Sequence, residues 1–577
     1  MRPATAVQGA VGSETLPTYQ NPVYASSFPD PFVLRHAGRY FAYSTGSSED
    51  GVFHILTSDD LVNWMDAGHA MPLPAAPAMH YWAPEVTYSE GRFYLYYSVG
   101  NEILMELRVA VSDAAEGPFE DAGVNLTTQD FAIDPHVFVD RDGKRWMFYA
   151  TDFLEHSHIG TGTVVDRMVN WTKLEGKPRP VTRAKFDWQD YDPERKEKGG
   201  VRWHTIEGPA VIERKGYYFE MFSGGNWQNP SYGVSFAVTD DLKHADEWEQ
   251  HADGDKLLPI IRTTQEVVGP GHNSIVRGPN GRELYCVYHR WTDAGRVMAI
   301  DRMDIVDDRI FVAGPTTTPQ PTPFRSEDVS AELPSSCLIE FLAKDKGRVK
   351  ILDANGRALC SFKTAANREY HVEIDGRWCS VVADGWETLS RGHLGDVPAR
   401  LESSGTNEHA RMTSGFEDLF DRGEIAKSDW QIISGTACDE HEDQLFLTAG
   451  EATGGIGREQ LFDDIEVVVN ARCETLENAT AFGIGLYESE GAPVLSVLVA
   501  ADGIDAIGQG EAAFSLPTDW ELTDYHAYRV ITGSGKAAIW LEQHFLGEIA
   551  IEGGPYCAAV LTQNATLVLD MVRATGI

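Results

Sequence analysis

The stretch "SSFPDPFVLRHAGRYFAYSTG", residues 26–46, places Asp30 between Pro29 and Pro31, just ahead of the apolar run Phe32, Val33 and Leu34. Each proline fixes its own φ and has no amide to donate, and each biases the residue before it toward an extended conformation. A carboxylate held this way at the mouth of a buried strand has little freedom. Alone, it reads as a turn residue before a strand. Its meaning changes because the stretch recurs.

Five copies share one grammar: a polar residue, an extended apolar run, a turn with glycine, then a strand rich in aromatics. They read "DPFVLRHAGRYFAYS", "EVTYSEGRFYLYYS", "DPHVFVDRDGKRWMFYA", "EGPAVIERKGYYFEMFS" and "HNSIVRGPNGRELYCVY". Their leading residues are Asp30, Glu85, Asp134, Glu207 and His272, and their turn glycines are Gly38, Gly91, Gly143, Gly216 and Gly281. A second echo follows three of the hairpins, as "TSDDLVNW" (57–64), "VVDRMVNW" (164–171) and "AVTDDLKHADEW" (237–248), and is expected to turn from a third strand into an outer one. The leading residues lie 55, 49, 73 and 65 positions apart, room for one four-stranded antiparallel sheet per copy. Radial repetition of such sheets makes a β-propeller, here of five blades. The innermost strands then line an axis, where Asp30, Asp134, Glu207 and His272 meet.

Composition agrees with an all-β globular protein. The 577 residues are 42% hydrophobic and 10% aromatic, with few long helical periodicities and many short runs of Tyr, Phe, Val and Ile between turn residues. The length calls for more than one core. The net charge of −39 repels phosphate backbones and anionic lipid, which excludes nucleic acid as a partner and favours a neutral ligand. No apolar run reaches the length of a membrane span. The opening "MRPATAVQGAVGSETLP" lacks an apolar core like that of a signal peptide, and the seven cysteines form no CxxC pair. A cytoplasmic protein with reduced thiols and no zinc site is expected.

At least three acidic groups in one funnel raise one another's pKa, a cost that points to chemistry. Two carboxylates flanking a bond are the equipment of glycoside hydrolysis. A rigid, ionised Asp30 suits a base. Glu207, among Trp203, His204 and Ile206, suits an acid kept protonated by burial, with Asp134 holding it and raising its pKa. Glu85, in "YWAPEV", fits a hydrogen-bonding role as well as a catalytic one. Trp82 is the first choice for a platform under a sugar ring. Trp203, Trp227 and Trp291 read either as platforms or as blade packing. Arg290, in "YHRW", either reaches sugar hydroxyls or makes an internal ion pair.

The motifs "FPDPFVL", "YWAPEV", "IDPHVFVDRDGKRWMFY", "IEGPAVIERKGYYFEMFS" and "GPGHNSIV", in this order, resemble glycoside hydrolase family 43 over about residues 20–310. The resemblance implies an inverting five-bladed propeller, with Asp30 as general base, Asp134 as pKa modulator and orienter, and Glu207 as general acid. It matches His272 to an axial histidine that sits, in some members, near a hydrated metal ion such as calcium; a core histidine without metal is the alternative. No cofactor is required for the chemistry. Fructan-active propellers resemble a different pattern, with Arg before the middle Asp and Cys after the acid; Ile133 and Gly208 stand there instead.

The expected organisation is an N-terminal tail (1–18), the propeller (19–325), a small β domain or first part of a sandwich region (326–405), and a β-sandwich of jelly-roll or lectin-like form (406–577). The Pro- and Thr-rich stretch 312–334 reads as a linker or wrap-around segment. The sandwich serves either as a sugar-binding module or as a structural wall of the funnel. The function expected is release of a terminal pentose, α-L-arabinofuranose, from plant-derived oligosaccharides. A β-xylosidase is the alternative, and a non-catalytic propeller lectin the alternative outside enzymes.

Overall fold

The computed structural model describes residues 16–577 except 244–246, 252–258, 422–429, 434, 442, 451–452, 475–479, 489–492, 517–519 and 543. Most of the expected tail, and part of the third copy of the second echo, lie outside the described residues. Among these the chain is β throughout, with two single-turn 3-10 segments, Asp187–Gln189 and Lys196–Lys198. Among the described residues no helix is long and apolar enough to cross a membrane.

The described residues of 32–312 form five sheets, antiparallel except where Gly160 pairs in parallel with His204. Their first strands are Phe32–His36, His80–Ser89, Ala132–Val139, Ile206–Arg214 and Val268–Arg277, each opening one of the five copies or containing its leading residue. Each pairs with the strand after its glycine turn. In three copies the loop has two residues, Ala37-Gly38, Glu90-Gly91 and Lys215-Gly216, and all six have positive φ. Such a turn twists with the strands it joins, and glycine takes its second place without strain. Each first strand touches the next, and the fifth touches the first, so the five close a ring. The chain's start ties into the fifth sheet: Tyr19 donates its hydroxyl to the Ile300 carbonyl, and Asn21 donates to the same oxygen. Stretch 312–334 folds back, with Gln320–Pro321 pairing against Thr18–Tyr19.

Beyond residue 326 a long sheet runs through both expected C-terminal parts. Its strand Asn407–Asp418 pairs with Ser336–Ala343 through its first part and with Ala565–Gly576 through its last. Two cores flank this crossing. One gathers Ile339, Val349, Val372 and Val381. The other fills the space between the long sheet and a seven-stranded one, through Val467, Val530 and Leu569 from the first and Ile484, Val497 and Val560 from the second. All seven cysteines are free thiols.

Candidate active site

Neighbouring prolines do not hold Asp30 extended. Its φ is +51°, and left-handed values recur at Ala83 (+44°), Asp134 (+58°), Gly208 (+59°) and His272 (+50°). Four of these residues lie at a register shift in a first strand: between Trp82 and Glu85, Ile133 and His136, Glu207 and Ala210, and Gly271 and Ser274. Asp30 sits just ahead of its strand. A bulge takes a residue out of the ladder and re-aims it, which overrides the local bias set by proline. The bulges also correct the alignment of the copies. Ala83 and Gly208, not Glu85 and Glu207, stand where Asp30, Asp134 and His272 stand.

Each re-aimed amide is caught by the preceding sheet. Ala83 N donates to Thr45 Oγ1 at 2.8 Å, Asp134 N to Ser98 Oγ at 2.9 Å, and His272 N to Ser223 Oγ at 2.7 Å. Asp30 N closes the circle on His289 Nδ1 at 3.3 Å. The third sheet offers only Ala150 at the place of Ser98 and Ser223, and there the Asp134 carboxylate substitutes: Gly208 N donates to its Oδ2 at 2.9 Å. Asp134 therefore fixes the backbone beside Glu207.

Asp30 is buried, yet one guanidinium and two imidazoles surround it. Arg296 Nη1 donates to its Oδ1 at 2.7 Å, with His289 Nδ1 at 3.2 Å and His272 Nδ1 at 3.6 Å from the same oxygen. Burial raises its pKa, but Arg296, His272 and His289 outweigh burial and hold the carboxyl well below the usual range. His289 is itself pushed down to about 4, chiefly by burial, and is neutral near pH 7. Arg296 lies 4.6 Å over the Trp227 ring, which stacks on Trp291; the Trp291 indole N–H donates to the Trp227 carbonyl. This pillar fixes the guanidinium. Replacing Arg296 by Met is expected to raise the Asp30 pKa and move the acid limb of kcat/KM to higher pH, with Lys restoring much of it. An acid limb that stays in place would detach Arg296 from Asp30.

Glu207 Oε1 accepts the Tyr232 hydroxyl at 2.7 Å. Tyr232 lies flat against His289, 5.7 Å between ring centres, and passes where a side chain at residue 271 would collide with it, so only Gly271 leaves it room. Burial raises the Glu207 pKa and Asp30 adds repulsion, against the pull of His272 and the Tyr232 bond. Asp134 is pushed up to about 7, first by burial, then by Glu207 and Asp30, with His272 opposing. The two carboxyls thus retain a proton at pH values where Asp30 has none.

Three expected contributors stand elsewhere. Glu85 bonds His136 Nδ1 at 2.8 Å, and His136 Nε2 accepts the Val211 amide, a chain across three sheets. Arg290 is buried, donating to the Thr316 carbonyl at 2.8 Å; strand alternation puts it on the face opposite His289 and Trp291. It is Arg296, across the same hairpin, that reaches Asp30. Trp203 is fully buried. Trp82 keeps part of its surface while packing on Met105, Phe131 and Ile133, next to Asp134. Met105 and Tyr81 also line a cavity of about 580 Å³. For His272, no three His, Cys, Asp or Glu side chains among the described residues converge to hold a metal ion. Burial disfavours its imidazolium, but Asp30, Asp134 and Glu207 together raise its pKa. Calcium takes oxygen ligands, and an imidazole nitrogen without a converging set of oxygens does not fit a directly held calcium, so no chemistry is routed through one.

Arg296, His289, Tyr232 and the catching serines escape the sequence reading. One signal was available: the second and fourth copies end in Ser98 and Ser223 and Thr45 follows the first, whereas the third ends in Ala150.

Residues 19–311 match the family model described as Glycosyl hydrolases family 43. The β-D-galactofuranosidase xynD of Aspergillus niger is 29% identical over 316 residues, covering 49% of this chain and 81% of that protein. An extracellular exo-α-(1→5)-L-arabinofuranosidase of Streptomyces chartreusis is 26% identical over 306 residues, covering 49% of this chain and 86% of its own length. The solved structure of a thermostable family-43 glycoside hydrolase is 30% identical, covers 53% of this chain and 99% of that one, and has a TM-score of 0.47.

Proposed function

The chain belongs to glycoside hydrolase family 43, a glycosidase family, and from that premise we propose that it inverts configuration while releasing a terminal α-L-arabinofuranose from plant-derived oligosaccharides. The observation that carries this reading is the opposite tuning of two buried carboxyls in one ring: Asp30 held ionised, Glu207 raised toward its protonated form. Asp30 takes a proton from water as its oxygen attacks the anomeric carbon. Glu207 gives its proton to the departing glycosidic oxygen. One bond forms, one breaks, and the displacement leaves the sugar inverted. The names of both relatives above refer to furanosides, which supports a furanose over xylose. Trp82, partly exposed beside Asp134, supplies an apolar face for the sugar or its aglycone.

The test is a panel of nitrophenyl glycosides with the product anomer followed by NMR. The reading expects the arabinofuranoside to be preferred and the first product inverted. A preference for the xyloside would assign a β-xylosidase; a retained anomer would overturn the mechanism. We place the domain limits at 19–325, 326–405 and 406–577, with the strand Asn407–Asp418 paired to strands on both sides of the last limit.

Asp134→Asn separates charge from hydrogen bonding. The amide oxygen of Asn can still accept from Gly208 N, so the backbone beside Glu207 stays in place. Above about pH 7, where Asp134 is ionised, the variant lacks its negative charge, which lowers the Glu207 pKa. The alkaline limb of the pH–rate profile, where the acid loses its proton, should move to lower pH with an unchanged melting temperature. An unmoved limb would remove Asp134 from the proton balance.

A further inference from the structure

The innermost strands carry a second cluster at their far ends. Glu207 opens the strand Ile206–Arg214 near one rim and Arg214 closes it at the other, seven residues or roughly 23 Å away. There a cleft of about 630 Å³ separates the ring from the C-terminal sheet. Six of its lining side chains are Arg or Lys and four are Asp or Glu, in a chain with 48 basic and 87 acidic residues. The local balance is the reverse of the global one.

Most of these charges are matched. Arg141 pairs with Glu213, Arg282 with Glu373, Arg391 with Asp421, and Lys215 with Asp570 behind the wall. Arg214 and Arg277 have no ion pair within 4 Å among the described residues. Arg277 Nη1 donates to the Gly281 carbonyl at 3.3 Å, and Arg214 Nε is buried without a hydrogen-bond partner. Arg282, 4% exposed, also leaves its Nε unpartnered. One carboxylate, Glu417, stands among them: after burial, its pKa answers to Arg214, Arg573, Arg282 and Arg277. Arg277, which lines the cleft, is exposed to solvent. The cleft carries an excess of positive side chains.

Arg214, half-buried, and Arg277, exposed, present guanidinium groups with no ion-pair partner of their own, and such planar forks match a carboxylate or a phosphate oxygen pair. The cleft volume is that of a ligand site, large enough for a sugar ring, and Trp386 lines it with part of its ring surface exposed. We propose that this cleft binds an oligosaccharide bearing a uronic acid, whose carboxylate is held by Arg214 and Arg277 beside Trp386. The choice of a sugar over a simple anion rests on the proposed glycosidase function; the anion site does not.

The experiment is calorimetric titration of the full chain with an aldouronic acid oligosaccharide, its carboxyl-reduced neutral form, and inorganic phosphate. The acidic sugar should bind at least tenfold tighter than the neutral one, and added salt should weaken it. In Arg214→Gln/Arg277→Gln its affinity should fall at least tenfold while hydrolysis of a neutral nitrophenyl pentoside is unchanged. Equal binding of acidic and neutral sugars overturns the proposal in the unmodified protein, whatever the double variant's folding. Affinity retained in a folded double variant overturns it too, by assigning the binding to the catalytic rim. Phosphate binding as tightly as the acidic sugar overturns the uronate assignment. A protein that binds the acidic sugar as expected but hydrolyses no pentoside would instead refute the proposed function.

Discussion

Replacing Asp30 with alanine is expected to lower kcat/KM by about 10²–10⁴-fold, or more, on a natural disaccharide and on an activated nitrophenyl glycoside alike. The reason lies in what Asp30 is built to do. Its oxygen Oδ1 lies within 3.6 Å of Arg296, His289 and His272, and together they keep it ionised against its burial. A base is needed to activate water however good the leaving group, so no substrate rescues its loss. The variant also strands Arg296 without its partner, yet Arg296 keeps its place over Trp227, and the far-ultraviolet circular dichroism should be unchanged. Asp30→Asn gives the sharper comparison. It keeps an oxygen for Arg296 to bond but cannot take up the water's proton, and should be nearly as inactive. A variant that kept a substantial part of its rate on either substrate would take the base role away from Asp30.

The repeated unit was legible because its signals are local. A glycine turn, an apolar run and an aromatic strand fall within about seventeen residues of one another, and the hairpins they specify are present in all five sheets. The carboxylates were legible for the same reason, each standing beside or near a proline at the head of a copy. Their conformation was not. Proline predicts an extended Asp134, but the residue is left-handed because Ser98, 36 positions earlier, catches its amide across a sheet boundary. That capture belongs to the ring and not to the strand. Glu85 shows the complementary error. It shares a proline neighbour with the others, yet it lies two residues past the bulge and turns to His136. Arg290 and Arg296 differ by strand parity: His289 and Trp291 flank Arg290 on the opposite face, and the hairpin brings Arg296 opposite Trp291. Parity was readable once the hairpin register was known, but register depends on the turn at 293–294, which carries no distinctive signal. The charge-reversed cleft was out of reach, since Arg214, Arg277 and Glu417 meet only when the C-terminal sheet docks on the ring.

Replacing Glu207 with alanine should give a different signature from Asp30. On a natural disaccharide the departing sugar alkoxide needs a proton, and the loss should again be about 10²–10⁴-fold. A nitrophenolate leaves as a stable anion and needs no proton, so the same variant should retain most of its rate on the nitrophenyl glycoside. The pH profile should separate the variants further. As the proposed acid, Glu207 must be protonated to act, and its raised pKa is expected to set where activity falls as pH rises. With the acid gone, that alkaline limb should vanish on the activated substrate, while the acid limb set by Asp30 remains. Tyr232→Phe offers an intermediate case. It removes the hydroxyl that bonds Glu207 Oε1 and stabilises its ionised form, so the Glu207 pKa should rise and the alkaline limb should move to higher pH. If Asp30 and Glu207 variants lost equal activity on both substrates with intact folds, the two carboxyls could not be dividing the work as base and acid. The opposite tuning of their protons would then need another explanation than hydrolysis with inversion.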